Sequence, residues 1–344
     1  MSILTSFPNA VRAPSPAAGQ SDWRSELREA VRDPVELCRR LGLPVQQALS
    51  GADGSAQFPV FVPPSYLARI EPGDPNDPLL LQVMPVAEEA DRAAGFSRDP
   101  VGDAAAALQP GVLKKYAGRA LLIVTGACAV HCRYCFRRHF PYEESPHSEA
   151  GWDEALKTIA ADRSITEIIL SGGDPLTLVD ERLATLVNKI AAIEHVSRLR
   201  VHTRLPVMIP ARVTDGLVAW MTSSRLTPIM VIHANHAQEL DELVGAAVDQ
   251  LRHAGIMLLN QAVLLRGVND SLVAQIGLCE RLIEIGVQPY YLHQLDRVAG
   301  AAHFEVPLET GRQLIAELRA RLPGYAVPRY VQEIPGESSK TVLA

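Results

Sequence analysis

The sequence contains no apolar run long enough to cross a membrane. Its longest runs, such as 79–81 and 120–124, are far shorter than the roughly 18 residues that a spanning helix requires. The N-terminus has no basic stretch followed by a continuous apolar one, so no secretory signal is indicated. Basic residues are not in excess either, since 33 Lys and Arg face 39 Asp and Glu. These absences predict a cytoplasmic protein with no membrane or nucleic-acid partner.

Cysteine is scarce, with five residues in 344, which is too few for a disulfide scaffold. Cys38 and Cys279 each lie alone in an amphipathic helical pattern, and we expect them to be packing residues. Cys128, Cys132 and Cys135 instead lie within eight residues of one another. Because 47% of the residues are hydrophobic and 21% are charged, the chain can fold around a core. The clustered cysteines are therefore expected to act as ligands or catalysts in a folded domain.

The composition changes along the chain and indicates several segments. Residues 1–20, rich in Ala, Pro and Ser, predict a flexible N-terminal arm. The pair Asp33 and Pro34 is typical of a helix start, whereas nine prolines between residues 59 and 110 interrupt any regular pattern. We therefore expect 21–111 to form a helical and irregular region packed on a core at 112–300.

Beyond residue 118, short apolar and β-branched runs alternate with longer segments of helical period. The runs begin 29 to 46 residues apart, and about 30 residues is the length of one βα step. Six strands are predicted, beginning near Arg119, Ile165, Arg198, Thr227, Ile256 and Val287. Six parallel strands are too few for a closed eight-stranded barrel, so a partial barrel and a doubly wound sheet both remain open. In either fold, the chemistry should lie at the C-terminal ends of the strands.

The first predicted strand runs into TGACAVHCRYCFRRHF, which places Cys128, Cys132 and Cys135 in one loop at a strand end. Three thiolates can hold three irons of a four-iron cluster and leave the fourth iron open to a small molecule. A zinc site with His131 or His139 as fourth ligand is an alternative, and unligated thiols are another. The spacing favours the iron–sulfur cluster over both.

The motif CxxxCxxC after the first strand of a βα repeat resembles that of radical S-adenosylmethionine (SAM) enzymes, in which the open iron binds SAM. The loop after the second predicted strand has the sequence SGGDP, with Gly172, Gly173 and Asp174. It resembles the glycine-rich segment that contacts the methionyl end of SAM in that family. Glycine suits such a segment because backbone can approach a ligand closely where there is no Cβ.

Further segments resemble lysine 2,3-aminomutase over about residues 65–341, among them SGGDPL, VIHANH, NQAVLLRGVND, PYYLHQLD and GAAHF. The resemblance is greatest to the compact branch that makes (R)-β-lysine for elongation factor P. It implies an α/β fold, a partial (β/α)6 radical SAM barrel, and an isomerase that converts L-α-lysine to β-lysine. The implied cofactors are a [4Fe-4S] cluster, SAM and pyridoxal 5′-phosphate (PLP).

The resemblance also assigns the residues that hold PLP. Lys340, in IPGESSK, matches the lysine that carries PLP as a Schiff base. Without the family, a lysine at this place would be interpreted as solvated. The assignment implies that the segment 301–344 folds back onto the barrel opening. Other residues with an implied PLP contact are His233 against the ring, Gln261 among the polar contacts, and Tyr116 and Arg119 at the phosphate.

Recognition of lysine requires opposite charges at the two ends of the substrate. Arg137 matches the arginine that pairs with the substrate carboxylate, and its planar guanidinium permits a bidentate contact. Asp296 and Glu333 match the two acids that face the ε-ammonium, although the second is Asp in the longer enzymes. The alternative for Arg137 is a surface arginine in an Arg-Arg pair, and either acid alone would be interpreted as a solvated carboxylate.

The expected partners are L-lysine, an external one-electron donor and an elongation factor P lysine ligase that receives the product. One alternative is the same reaction serving free β-lysine metabolism. A more distant one is a zinc-stabilised binding scaffold without catalysis, which leaves Lys340 and the two acids unexplained.

Overall fold

The computed structural model describes residues 22–51, 54, 58–146 and 148–344, so the predicted arm at 1–20 lies outside the described residues. The helix start predicted at Asp33 and Pro34 is confirmed, because the Asp33 carboxylate accepts a hydrogen bond from Val35 N at 3.0 Å. The helices are α1 (Trp23–Glu29), α2 (Pro34–Arg40), α3 (Val45–Ser50), α4 (Pro64–Leu67), α5 (Pro78–Leu81), α6 (Glu149–Ala161), α7 (Asp180–Ala191), α8 (Leu205–Met208), α9 (Asp215–Thr222), α10 (Glu242–His253), α11 (Leu272–Glu284) and α12 (Leu308–Arg321).

One sheet contains ten strands in chain order. Its strands are β1 (Ala107–Gln109), β2 (Val112–Leu113), β3 (Arg119–Thr125), β4 (Glu167–Gly172), β5 (Arg198–Thr203), β6 (Thr227–Ile232), β7 (Met257–Val263), β8 (Gln288–His293), β9 (Arg329–Gln332) and β10 (Thr341–Val342). The six predicted strands are confirmed as β3 to β8, which pair parallel with one another. Strand β9 extends the parallel part, whereas β1, β2 and β10 pair antiparallel.

The two ends of this sheet meet. Lys115 lies between β2 and β3 at one end, and Glu333 follows β9 at the other end. The Lys115 Nζ atom is nevertheless 2.8 Å from Glu333 Oε1. A flat doubly wound sheet would keep these strands far apart, so the sheet curves into a partial barrel. This contact decides between the two folds that the sequence leaves open.

The helices that follow the strands bury apolar faces against the sheet, as α7 does with Leu183, Leu186 and Ile190. The N-terminal region joins the same core, since Tyr66 of α4 and Leu79 of α5 are fully buried. Cys38 and Cys279 are buried too, which confirms their expected packing role. Within the described residues, no helix is both long and apolar enough to cross a membrane.

Candidate active site

The three clustered cysteines follow the C-terminal end of β3, as predicted. Burial raises the pKa of the Cys128 thiol well above its usual range and that of Cys135 to about 11. Both thiols are therefore protonated at neutral pH in the metal-free chain, and iron binding must release protons. Cys132 differs because its Sγ lies 2.7 Å from Nη1 of the buried Arg204. Three thiols in one strand-end loop fit a [4Fe-4S] cluster with one open iron.

The zinc alternative gains no support from the geometry. His131 Nδ1 lies 2.7 Å from the carbonyl oxygen of Pro59, and its ring stacks on Phe58. His139 Nε2 lies 3.1 Å from the carbonyl oxygen of Ala299. Over the described ranges, no three His, Cys, Asp or Glu side chains converge on a point that a single metal ion could occupy. A four-iron cluster holds its thiolates further apart than one zinc ion does.

Gly172 and Gly173 bring the end of β4 against the cysteine loop. Gly172 has φ +140°, and a Cβ there would lie 2.2 Å from the carbonyl oxygen of Thr125. A Cβ on Gly173 would lie 2.2 Å from that of Ala127. The sequence predicts that these glycines allow close approach of a ligand, whereas in the structure the backbone that leads to Cys128 makes the close approach. Contact of these glycines with SAM stays a prediction.

Asp174 joins two strand ends. Its buried carboxylate accepts hydrogen bonds from Thr203 Oγ1 at 2.7 Å and from the backbone N of Arg204 at 2.7 Å. It also caps the short helix Pro175–Thr177 through Leu176 N. Burial raises the pKa of Asp174 to about 6, against these hydrogen bonds, which lower it. The carboxylate thus fixes the loops after β4 and β5, and its predicted contact with SAM is untested.

The cysteine loop is held from its other side by the N-terminal region. Arg133 is fully buried, and its Nε lies 2.7 Å from Glu89 Oε1. The other oxygen of Glu89 accepts a hydrogen bond from Arg138 Nη2 at 2.7 Å. One carboxylate therefore pairs with two arginines of the cysteine loop. These contacts explain why the irregular segment before residue 112 packs on the core.

Arg137 is buried, not on the surface. Its Nε donates to Asp103 Oδ2 at 2.7 Å and its Nη1 to Ser171 Oγ at 3.1 Å. Nearby Asp103 raises the pKa of Arg137 above its usual value, although burial lowers it, so the guanidinium stays charged. The hydrogens on Nη2 make no hydrogen bond to the described residues. Arg137 can therefore offer this edge to a carboxylate, as the resemblance implies.

Lys340, Glu333 and Asp296 come together at the same end of the barrel. Glu333 Oε2 pairs with Lys340 Nζ, and Glu333 Oε1 lies 2.8 Å from Lys115 Nζ. Burial raises the pKa of Asp296 to about 7, with a further contribution from the negative charge of Glu333. Lys340 and Lys115 lower the pKa of Glu333 despite its burial. The C-terminal segment thus returns to the barrel opening, because β10 pairs with β9.

The remaining predicted PLP contacts lie around this group. The Arg119 guanidinium stacks over the Tyr116 ring at 4.7 Å, and Glu333 and Asp296 both act on the Tyr116 hydroxyl electrostatically. Gln261 lies on β7, where its side chain makes no hydrogen bond to the described residues. These placements are compatible with the predicted contacts but do not test them.

Three histidines at the strand ends have buried Nε2 atoms without a hydrogen-bond partner in the part of the chain that the structure describes, namely His202, His233 and His293. The His202 and His233 rings pack edge to face at 5.6 Å. Burial lowers the pKa of His233 to about 4, so its ring is neutral. Buried polar atoms normally have partners, so these atoms indicate a space that a polar cofactor completes. The residues present therefore fit PLP near Lys340.

Two charged residues at this site are not identified by the sequence analysis. Asp103 bonds Arg137, and its other oxygen lies 2.6 Å from Lys115 Nζ. Asp103 belongs to the proline-rich irregular segment, and Lys115 is one of a pair of adjacent lysines. Neither has a spacing pattern that would distinguish it from a solvated side chain.

Comparison with known proteins gives the following similarities. The profile of a family described as "4Fe-4S single cluster domain" matches residues 116–200. The "L-lysine 2,3-aminomutase" of Escherichia coli is 46% identical over 94% of this chain and 95% of its own length. The protein of the same name from Clostridium subterminale is 35% identical over 94% of this chain and 78% of its own length. Among solved structures, a radical SAM methyltransferase from Sphaerobacter thermophilus aligns at 20% identity with a TM-score of 0.44, over 64% of this chain and 68% of that one.

Proposed function

The chain belongs to the L-lysine 2,3-aminomutase family, and we propose that its product is (R)-β-lysine for the modification of elongation factor P. As a member of this family, it is an isomerase that uses a [4Fe-4S] cluster, SAM and PLP. The observation that carries the proposal is one site that combines Arg137, the acids Asp296 and Glu333, and Lys340. It supports a substrate with a carboxylate at one end and an ammonium at the other.

The residues of this chain have distinct parts in the proposed reaction. Cys128, Cys132 and Cys135 would hold the cluster, with Gly172, Gly173 and Asp174 shaping the loop beside SAM. Lys340 would hold PLP. When bound, the cluster and SAM supply the hydrogen-abstracting radical, and PLP supplies the aldehyde carbon that carries the migrating amino group. His233, Gln261, Tyr116 and Arg119 are the further PLP contacts of this proposal.

The substrate would be held at both ends by buried charges. Arg137, already fixed by Asp103 and Ser171, presents its Nη2 edge to the substrate carboxylate. Asp296 and Glu333 bind the ε-ammonium and exclude glutamate, whose side chain carries the opposite charge. Because these groups are fixed by neighbours before lysine arrives, they orient C2 and C3 without further rearrangement.

Turnover of purified protein tests this proposal. After anaerobic reconstitution with iron, sulfide, PLP and SAM, we expect L-lysine to be converted to β-lysine, with chiral chromatography giving the (R) form. Asp296→Ala should lower kcat/KM for lysine by roughly thirtyfold or more, because loss of one partner from a buried charge pair costs about 2 to 5 kcal/mol. SAM cleavage in the absence of lysine should change far less. Lys157→Met, at an exposed surface pair, is the control.

The supply of β-lysine to elongation factor P is proposed from the resemblance to the compact branch of the family. The chain is 46% and 43% identical to the Escherichia coli and Haemophilus influenzae proteins and 32% identical to the Bacillus subtilis one. This chain is therefore more similar to the first two relatives than to the third. Deleting the gene should remove a mass increment from elongation factor P, and added (R)-β-lysine should restore it. An unchanged mass would favour free β-lysine metabolism instead.

The proposal also covers the enzyme's cellular location, its electron donor and the acceptor of its product. We propose a cytoplasmic enzyme that takes electrons from an external one-electron donor and passes its product to a lysine ligase. We propose that the chain divides into a region at 21–111, a barrel at 112–300 and a segment at 301–344. The cysteine loop lies in the barrel and Lys340 lies in the last segment, which supports this division. The flexible N-terminal arm at 1–20 is proposed from its amino-acid composition alone.

A further inference from the structure

An unbroken series of ion pairs crosses the site. Arg137 pairs with Asp103, Asp103 with Lys115, Lys115 with Glu333, and Glu333 with Lys340. The side chains are 3 to 19% exposed, so water screens these pairs weakly. Positive and negative groups alternate along the series.

The charged groups at this site balance while Lys340 is an ammonium and Asp296 is ionised. The cations are Arg137, Lys115 and Lys340, and the acids are Asp103, Glu333 and the nearby Asp296. Both lysines favour the ionised form of Glu333. Loss of one cation would leave a buried acid without its counter-charge, which is strongly unfavourable.

Attachment of PLP to Lys340 removes this cation. The ammonium first releases one proton to solvent; a C=N bond then replaces the aldehyde C=O bond, and the aldehyde oxygen leaves as water with the two remaining hydrogens of the lysine nitrogen. Glu333 then keeps Lys115 as a cationic partner but loses the ammonium at its other oxygen. The missing group is a compact cation at the end of a flexible aliphatic chain, which describes the distal end of a lysine substrate.

We propose that the Lys340 ammonium occupies the substrate's ε-ammonium subsite in the PLP-free protein, and that this subsite opens when Lys340 is joined to PLP. Lys115 keeps Glu333 in place in both states. The chain's own lysine thus excludes the substrate until the cofactor is attached. This inference rests on the proposed function, because it takes Lys340 as the PLP lysine and lysine as the substrate.

Binding of L-lysine to the PLP-free full chain, measured by calorimetry, tests the inference. Lys340→Met should bind L-lysine about tenfold or more tightly than the PLP-free wild type, because one acid charge becomes available. L-Norleucine, which lacks the ε-amino group, should gain nothing. Adding Glu333→Gln to Lys340→Met should remove the gain, and Lys157→Met should match the wild type. No gain in Lys340→Met, or an equal gain for L-norleucine, would overturn the inference.

A second measurement leaves Lys340 in place. Lys340 Nζ is paired with Glu333 Oε2, and this ion pair must break before the nitrogen can attack the PLP aldehyde. Glu333→Gln should therefore accelerate PLP attachment, followed by absorbance, by several-fold. Lys115→Met should slow it, because Glu333 then pairs with Lys340 alone. A role limited to folding would slow both variants, and that result would contradict the inference.

Failure of the inference is distinguishable from failure of the proposed function. Neither measurement requires turnover. A gain in Lys340→Met combined with an inactive holoenzyme would refute the aminomutase proposal and leave the ammonium subsite intact. Turnover of lysine by the holoenzyme with no gain in Lys340→Met would refute the inference alone.

Discussion

Gly173 has no Cβ, and this allows the end of β4 to pack directly against the cysteine loop. A Cβ at this position would lie 2.2 Å from the carbonyl oxygen of Ala127, and this neighbour is backbone, which cannot rotate away. The glycine therefore sets the distance between the end of β4 and the cysteine loop. The motif SGGDP predicts a functional role for Gly173, but the sequence does not indicate that packing against Ala127 requires a glycine there. Ala127 is 46 residues away and has no distinctive sequence pattern.

Gly173→Ala should displace the cysteine loop and lower iron binding. We expect less than half of the wild-type iron content after anaerobic reconstitution, and about 1 to 3 kcal/mol less stability from overpacking. Iron analysis and urea unfolding measure the two effects. Gly324→Ala is the matched control, since a Cβ there meets nothing within 4 Å. Full iron loading of Gly173→Ala would show that the loop adapts.

If Asp296 binds lysine as proposed, its titration should give lysine binding a pH dependence. Its pKa is raised to about 7, first by burial and then by Glu333, so the group is largely protonated at pH 6 and ionised at pH 8. The ionised form attracts the ε-ammonium, which itself stays charged to about pH 10. Lysine affinity of the holoenzyme should therefore rise as pH increases through 7.

Asp296→Asn should flatten this dependence, because the amide does not titrate. Equilibrium binding of lysine between pH 6 and 8 provides the measurement. An equally steep rise in the variant would assign the dependence to another group. Glu333 does not compete for this role, because a glutamate ordinarily ionises at about pH 4.3 and Lys115, which remains beside it in the holoenzyme, favours the ionised form.

At the scale of elements, the cysteine loop after β3 is fastened by parts of the chain that are distant in sequence. Arg204, after β5, contacts Cys132 Sγ and also donates to Glu239 Oε2 at 2.8 Å. Glu239 lies after β6, and Gln82, which follows α5, accepts from the same guanidinium at 2.6 Å. Three loops and the N-terminal region therefore meet at one buried positive charge beside the cluster.

Arg204→Met should shift the reduction potential of the cluster to a more negative value. The guanidinium places a positive charge and a hydrogen bond at Cys132, and both stabilise the more negative reduced cluster. Arg204→Lys should recover part of the shift. A redox titration followed by electron paramagnetic resonance gives the potential, with Arg252→Met at an exposed pair as control. An unchanged potential would limit Arg204 to a packing role.

Glu89 joins the N-terminal region to the cysteine loop through Arg133 and Arg138. Glu89→Ala would leave two buried guanidinium groups without their carboxylate, so we expect a loss of about 3 to 5 kcal/mol in the free energy of unfolding. Glu36→Ala, at a half-exposed pair in α2, should cost under about 1 kcal/mol. Urea unfolding compares the two. Similar small losses in both would mean that Glu89 does not hold the region in place.

The elements differ in how well their sequences predict them. Strands β3 and β4 are predicted because each is a buried run of apolar residues, the pattern expected where both faces of a parallel sheet are covered. In β5, Leu199 and Val201 instead alternate with charged residues and His202, and the distance of about one βα step from the preceding strand indicates it. Strands β1, β2, β9 and β10 are two to four residues long, too short to show a period. Their pairing follows from tertiary contacts, so local sequence does not indicate them.

At the scale of the whole molecule, the periodicity of the sequence does not distinguish the partial barrel from an open sheet. Both folds have the same succession of strands and helices, and they differ in whether the sheet ends meet. Here the sheet ends meet through the ion pair between Lys115 and Glu333, and no periodic pattern in the sequence relates these two residues. Arg137, Asp296 and Lys340 were predicted through motifs, whereas Asp103 and Lys115 became visible only when the fold brought them between those residues.

The contact between Lys115 and Glu333 also has a consequence for folding. It joins residues 218 positions apart, and the entropy lost on closing a loop increases with its length. The pair should therefore form late, after the parallel strands between its members are ordered. Pulsed hydrogen exchange during refolding should show amides of β4 to β7 protected before those of β9. A nascent chain synthesised only as far as β8 already contains its cysteine loop, while Asp296 and Glu333, the acids proposed to bind the substrate's cation, have not yet been added.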